Sequence, residues 1–366
     1  MTDDGHKKQT VLYVIDSLAV GGAEILFVNL LPELSQRYRV VVVTLYNKID
    51  FPGVENHIAE HISLGYKGYP DIYSAALRLK KIIHAQQPLL VHTHLYWSTI
   101  IGRIGCPKNI PFYFTVHATL DDDSIPFYKR SFIRFVEQAT YRKYQCMIGV
   151  TQAVINTFKK LHRKTGATIL LYNYVRDEFF GEDYHFIYEP GHYLRLVAVN
   201  NLRLIKNVPY LIETMKMVKD LPVTLDVYGE GDLLNDLIAM IESYGLKNVR
   251  LMGKRSDIHK VITGYDVFVS ASTVEGFGIS VAEAMATGLP VVLSSIPVYR
   301  EIARENALYI NNHDPSTLAK LIREIISGTI NLQPMAIANR EYAQMKFSKS
   351  EHLQGLQRIY QNNGRS

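Results

Sequence analysis

Two cysteines, Cys106 and Cys146, are all that the 366 residues contain, too few for a disulfide framework and not spaced to hold a metal. A reducing cytoplasm is the expected setting. No apolar run approaches the about 20 residues that a membrane-spanning helix needs. The polar opening MTDDGHKKQT has no hydrophobic stretch of its own, so no signal peptide is expected. The excess of positive over negative charge is small as well. A net charge of +5 suits an anionic substrate or an anionic membrane surface, and nucleic acid is not expected as a partner. The sequence has no internal repeat and no low-complexity segment. It also has no G-x-G-x-x-G at its first glycine turn, so a dinucleotide is not indicated. Hydrophobic content of 47% and charged content of 20% are ordinary for a globular protein, and the length allows two domains with separate cores.

What the sequence does contain is a series of short apolar runs separated by glycine turns and helical stretches. Residues 11–15, 39–45, 89–92, 112–116, 146–150 and 169–172 read as strands of a first sheet. Helices are expected after the first strand and over 73–85. Residues 194–199, 223–228, 249–252, 266–270, 290–293 and 307–310 read as a second set of strands. A helix is expected over 208–218, and a capped helix over 347–360. Strands alternating with helices predict an α/β protein whose ligands bind at the C-terminal edges of parallel sheets. The stretch 175–193 is aromatic, charged and weakly periodic, and marks the expected domain boundary. That gives domains over 1–178 and 190–345, followed by a helix over 348–362.

The most informative stretch follows the strand at 266–270. Gly276 and Gly278 allow the backbone to turn and to approach a ligand with no Cβ in the way. Residues 279–287 have helical composition, and Gly288 and Pro290 stop that helix. Glu275 stands on the turn and Glu283 in the helix. Between them the helix N-terminus offers unpaired N–H groups, a natural place for phosphate. Carboxylates beside a phosphate repel it unless they accept hydrogen bonds from neighbouring hydroxyls. A sugar joined to a nucleoside diphosphate supplies both. The plainer alternative makes Glu275 a solvated loop residue and Glu283 a complement to the helix dipole.

The eighteen residues EGFGISVAEAMATGLPVV closely resemble the donor-binding signature of retaining GT-B glycosyltransferases, specifically glycosyltransferase family 4. That family carries two glutamates with seven residues between them, as Glu275 and Glu283 are spaced. The resemblance extends over nearly the whole chain. It implies the GT-B fold, two doubly wound Rossmann-like domains facing across a cleft, with the last helix crossing back onto the first domain. The first domain would bind a glycan or lipid-linked acceptor and the second a nucleoside-diphosphate sugar, and the transfer would retain the anomeric configuration. Glu283 would accept from ribose hydroxyls and Glu275 from the sugar. Lys206, Arg203 and the helix N-terminus would stabilise the departing diphosphate, with Gly276, Phe277, Gly278 and Ile279 around the donor. Gly21 and Gly22 of the GGAE turn would lie against the donor phosphate and the acceptor, and Gly229 beside the base. His117, at a strand's C-terminal end, would position the sugar and is not assigned as a general base. No metal or other cofactor is expected. One departure stands out. Many family members carry Arg and Lys five residues apart on the donor diphosphate; Lys206 fills the second position, but Asn201 fills the first and cannot supply a guanidinium fork.

Other features have plainer readings beside the functional ones. The Gly21–Gly22 turn could need glycine for conformation alone, and His117 could be a satisfied structural group. His92 and His94 share one face of a strand, but no carboxylate or cysteine cluster lies near them in sequence, so they read as structural. Asp121, Asp122 and Asp123 read as solvated. Residues 127–144 form a basic amphipathic segment, read first as a core-facing helix with a solvated basic face and second as a peripheral contact with anionic lipid. Two other functions share the fold. A nucleotide-sugar epimerase would lack the EGFG signature, and a non-catalytic sugar-nucleotide-binding subunit would account for Asn201. Surface polysaccharide or glycolipid synthesis, at the inner face of the membrane, is the expected context.

Overall fold

The computed structural model describes residues 8–19, 21–118, 127–162, 165–181 and 186–362. They form two compact units, the first from residues up to 118, 127–172 and 352–362, the second from 173–351. Each is built on one all-parallel sheet, so the α/β expectation holds in both halves. In the first, strands β1 (Thr10–Ile15), β2 (Arg39–Thr44), β3 (Glu60–Ser63), β4 (Leu90–His94), β5 (Phe112–Val116), β6 (Cys146–Gly149) and β7 (Thr168–Leu170) lie in the order β3-β2-β1-β4-β5-β6-β7. In the second, β8 (Leu194–Val199), β9 (Val223–Tyr228), β10 (Val249–Gly253), β11 (Val267–Ser270), β12 (Val291–Ser294) and β13 (Leu308–Ile310) lie in the order β10-β9-β8-β11-β12-β13. The strand order reverses between β1 and β4 in one sheet and between β8 and β11 in the other. At such switch points a crevice opens beyond the C-terminal strand ends.

The central strands are apolar because parallel strands covered on both faces have no solvent side to spend on polar residues. Val11, Leu12, Tyr13, Val14 and Ile15 are all buried, as are Val40, Val41, Val42 and Val43 beside them. That continuity makes them readable as sequence. The edge strand β3, with sequence EHIS and only half-buried, carries no such run and gives no sequence signal. Residues 173–181 also depart from the reading of 175–193 as a boundary stretch. Tyr174, Val175 and Phe179 are buried, and they belong to the second unit.

The basic segment forms the helix Phe127–Thr140 and the turn after it, where Tyr141 is buried and Arg142 and Lys143 are exposed as the core-facing reading expects, but within the helix the faces are mixed. Its one acid, Glu137, is buried and pairs with the fully buried Arg103 at 2.8 Å. Phe132 and Phe135 are exposed. A buried arginine needs a counter-charge more than the core needs another ring.

The last helix, Lys349–Gln361, starts after Ser348, whose hydroxyl accepts from Glu351 N at 3.4 Å. From His352 onward it belongs to the first unit. Tyr360 presses its hydroxyl into the first sheet, 2.9 Å from Tyr13 OH and 2.6 Å from His92 Nδ1, while Tyr113 OH donates to Ile359 O. Tyr360→Phe would strand two buried polar groups, each of which costs about 1–3 kcal/mol when left unpaired. Urea denaturation should show a loss of about that size. An unchanged midpoint would mean that the helix is held by apolar contact alone.

Candidate functional site

The second unit gathers charge at its switch point. The loop at 200–207 leaves β8 and the loop at 271–278 leaves β11. Thr273 N donates to Ile205 O at 2.8 Å and stitches the two together. Leu202 is buried and pins the first loop, its N–H donating to Glu230 O at 2.9 Å. Asn207 turns left-handed (φ 50°), and its side-chain amide donates to Asn312 O at 2.9 Å. These constraints deliver Lys206 to Glu275, Nζ to Oε1, at 2.5 Å. Tyr299 OH donates to the same oxygen at 3.0 Å. The Tyr299 oxygen lies 2.7 Å from Ser270 Oγ, which completes a relay of donors. With side chains only 19% and 10% exposed, Lys206 and Glu275 have lost most of their water. Among the described residues nothing donates to Glu275 Oε2, so that oxygen is the one available to a ligand.

Gly278 fixes this geometry. Its φ of 82° is left-handed, and a Cβ there would stand 2.7 Å from the Tyr299 ring. The helix Ile279–Ala286 that follows has no side-chain cap. Val281 N and Ala282 N return to Gly278 O at 3.0 and 3.1 Å. The N–H groups ahead of them have no helical partner, which is the arrangement that receives an anion.

Glu283 has a different environment one turn along. It is buried, and Arg176 Nη2 lies 3.4 Å from Oε1. Arg176 is itself shared with Glu178 at 2.5 Å and lies over the Phe179 ring. Burial pushes the Glu283 carboxyl up to about 7, with Arg176 pulling back. Neither glutamate is a solvated surface group. Of the other residues singled out, Asn201 and Arg203 are exposed on the loop, and Gly276 and Ile279 are half-buried. Phe277 is buried with its ring against Phe347, so only its backbone faces the turn. Gly229 (φ 140°) is faced by the Asn200 carbonyl, which takes the space of a Cβ. Tyr299, Ser270 and Arg176 went unread because each is an ordinary residue in an ordinary segment, and only the fold brings them to the glutamates.

The first unit gathers neutral imidazoles instead. His94 ends β4 and His117 follows β5, with His94 Nδ1 3.2 Å from His117 Nε2. Burial pushes His117 down to about 4 and His94 well below its ordinary value. His92 spends both nitrogens, on Tyr360 OH and on Thr115 Oγ1 at 2.8 Å, which leaves it none for a metal. Among the described residues no group of three His, Cys, Asp or Glu could hold a metal ion; Asp121, Asp122 and Asp123 lie outside them. Gly21 is extended (φ −150°), not left-handed, so conformation does not demand glycine there. Its missing Cβ instead leaves room for the Glu24 carboxylate. Gly22 opens the helix Gly22–Arg37 and is exposed. Nearby, Asp16 Oδ1 accepts from both Ser98 N and Ser98 Oγ, at 2.9 and 2.5 Å.

The Glu283 environment has a consequence for stability. A carboxyl whose pKa is higher folded than unfolded stabilises the fold fully below the unfolded value and loses that contribution as pH rises through the folded one. For Glu283 the window runs from 4.5 to about 7. Denaturation at pH values on either side of it should show Glu283→Gln losing less stability than the unmodified protein as pH rises. Parallel losses in the two proteins would place the carboxyl in water.

Comparison with known proteins adds family to geometry. The family model for glycosyl transferases group 1 matches residues 183–342, and that for Glycosyltransferase Family 4 matches residues 20–179. An uncharacterized glycosyltransferase of Methanocaldococcus jannaschii is 22% identical over 93% of this chain and 95% of its own. The O-antigen chain mannosyltransferase of Salmonella typhimurium is 25% identical over 70% of this chain and 75% of its own. The crystal structure of Anabaena HepE in complex with UDP and glucose matches with a TM-score of 0.78 at 18% identity, covering 97% of this chain and 99% of that one. Among the described residues no helix is long and apolar enough to cross a membrane. With the Family 4 model matching the first unit and the group 1 model the second, so that the two together span most of residues 20–342, and with two Rossmann-like halves of the GT-B fold, the chain is a GT-B glycosyltransferase of the family 4-like type.

Proposed function

We propose that this chain transfers a sugar, with retention at the anomeric carbon, from a nucleoside-diphosphate sugar to a glycan or lipid-linked acceptor. The observation that carries this reading is Glu275, held by Lys206 and Tyr299 beside the uncapped start of the Ile279–Ala286 helix. In this reading the diphosphate meets the free N–H groups of that helix and the Lys206 ammonium. Arg203, exposed on the same loop, adds charge where Asn201 has none. Glu275 Oε2 accepts from hydroxyls of the sugar and Glu283 from those of the ribose, so each carboxylate tolerates the nearby anion. The bond between the anomeric carbon and the diphosphate oxygen breaks, and the acceptor oxygen bonds to that carbon on the same face while its hydroxyl proton passes to the departing diphosphate oxygen. Lys206 and the helix N-terminus then stabilise the negative charge that develops on the leaving oxygen. These groups supply the positive charge that a metal would otherwise bring, so the transfer is expected to run without one.

The context we propose is cell-surface polysaccharide or glycolipid synthesis in the cytoplasm, at the inner face of the membrane. The Salmonella relative supports it by its O-antigen role, and the Anabaena structure, with UDP and glucose, supports a nucleotide-sugar donor. The helix Phe127–Thr140 supports peripheral contact with anionic lipid, since it exposes Phe132 and Phe135 on a basic segment. The first unit, with Gly21, Gly22 and His117, is assigned the acceptor side.

Thermal unfolding in the presence of EDTA tests the donor site. A ligand at a hundredfold excess over its Kd should stabilise the protein by about 2.7 kcal/mol. One nucleotide sugar is expected to give that shift, and Lys206→Ala to weaken it. Glu275→Gln should keep nucleotide binding and lower the transfer rate about a hundredfold, the scale of losing one preorganised electrostatic contact. Tyr299→Phe, which frees Oε1 from one donor, should lower kcat by about tenfold with the donor KM little changed. NMR of the product reads the anomeric configuration. Binding without a new glycoside would mean a non-catalytic subunit, an altered free sugar nucleotide an epimerase, and an inverted product would end the retaining mechanism.

A further inference from the structure

We infer that His94 is a positioning residue that fixes His117 as its Nδ1–H tautomer, so that the first sheet presents a hydrogen-bond donor, not a base, to a carbohydrate oxygen. The identity of that ligand rests on the proposed function; the tautomer does not.

The argument starts from one unpartnered atom. His94 Nε2 is buried, and among the described residues it has no hydrogen-bond partner. His94 Nδ1 lies 3.2 Å from His117 Nε2, and two neutral imidazoles can share that contact in only two ways. If His117 donates, His94 must carry its proton on Nε2, which leaves a buried N–H with nothing to receive it. If His94 donates from Nδ1, the buried Nε2 is a bare lone pair. An orphaned buried N–H is rarer and costlier than an acceptor left short. The second arrangement therefore prevails, and it makes His117 Nε2 an acceptor and its Nδ1 the site of the proton. On the half-buried His117 ring, Nδ1 has no hydrogen-bond partner among the described residues, whereas His94 Nε2 is sealed.

The surroundings hold both rings neutral and in place. His94 stacks at 6.1 Å on Tyr13, lies 5.4 Å from Phe27 and 4.4 Å from His92. Burial is the main reason its charge is disfavoured, with His92, His117 and His352 opposing a further proton. His92 cannot compete for the contact, because Tyr360 and Thr115 occupy both its nitrogens. The backbone beside His94 is forced as well. Leu95 has φ 70° and ψ 167°, a conformation costly for any residue with a Cβ and held only where the surroundings over-determine it. Here Leu95 O accepts from Thr99 N at 3.2 Å and Thr99 Oγ1 at 2.7 Å, and Thr99 Oγ1 also meets Thr93 Oγ1 at 3.0 Å. The strained turn keeps His94 under His117 while the next helix begins.

The test is nitrogen NMR of the full chain labelled in its histidine rings, at neutral pH and without ligand. The His117 signals are identified by their loss in His117→Gln. The expected result is a neutral His117 with the proton on Nδ1. His94→Asn places an amide N–H near the position of Nδ1 and should preserve that tautomer. His94→Leu should shift His117 toward the Nε2–H form and lower kcat about tenfold, the scale of one misdirected hydrogen bond, while His94→Asn keeps most of the rate. A His117 protonated on Nε2, or on both nitrogens, in the unmodified protein would overturn the inference. So would a His117 tautomer indifferent to His94→Leu. Because the spectrum is read on the free protein, an absence of sugar transfer would defeat the proposed function without touching this measurement.

Discussion

A carboxylate stripped of most of its water and held by a lysine and a phenol is the interaction on which the second unit's architecture converges. Moving Glu275 and Lys206 out of water costs more than their mutual attraction returns unless further hydrogen bonds complete the arrangement. Tyr299 and Ser270 complete it. The loops around the pair are stitched for the same reason. Ser294 Oγ and Asn312 Nδ2 both donate to Ser272 O, and Asn312 O in turn receives Asn207. A dry ion pair of this kind is poor value for stability. It makes sense as a preorganised site, where charge is already oriented before a ligand arrives.

The two glutamates of the glycine-turn signature have been separated chemically by what surrounds them. Glu275 has a cation at hydrogen-bond distance, whereas Glu283 has a longer contact to an arginine that Glu178 also claims. Burial dominates at Glu283 and raises its pKa toward neutrality. Two hydroxyls arriving as donors would satisfy such a group better than Arg176 does, because hydrogen bonds to the ionised form favour it. The motif's spacing puts both carboxylates on one short helix and its turn. The environment gives them different work.

Much of this was legible in the sequence, for identifiable reasons. The strand 112–116 could be read to the residue because a parallel strand covered on both faces is a nearly continuous apolar run. The strand Glu60–Ser63 could not, since an edge strand need not be apolar. Glu275 and its glycine turn were legible from the strand–turn–helix pattern, and Lys206 from the family resemblance; the fold brings the two side chains together. Tyr299, Ser270 and Arg176 were not, because each acts through a contact made in space and carries no spacing signal. The charge of residues 127–144 was legible, but the inward turn of Glu137 and the exposure of Phe132 and Phe135 were not. Glu137 faces inward only because Arg103, on a different helix, is already there.

The departure at Asn201 can be weighed against the surrounding geometry. An arginine at that position would bring a second cation to the diphosphate, but residues 201 and 206 differ in more than charge. Lys206 stands on the Leu204–Lys206 turn, anchored through Ile205 O to Thr273 N, whereas Asn201 and Arg203 are exposed. A cation on an anchored turn is oriented before binding, which spares the cost in side-chain entropy of ordering it on arrival of the ligand. The anchored position is the one that kept its charge. In the proposed reading, phosphate binding therefore leans on Lys206 and the helix N–H groups.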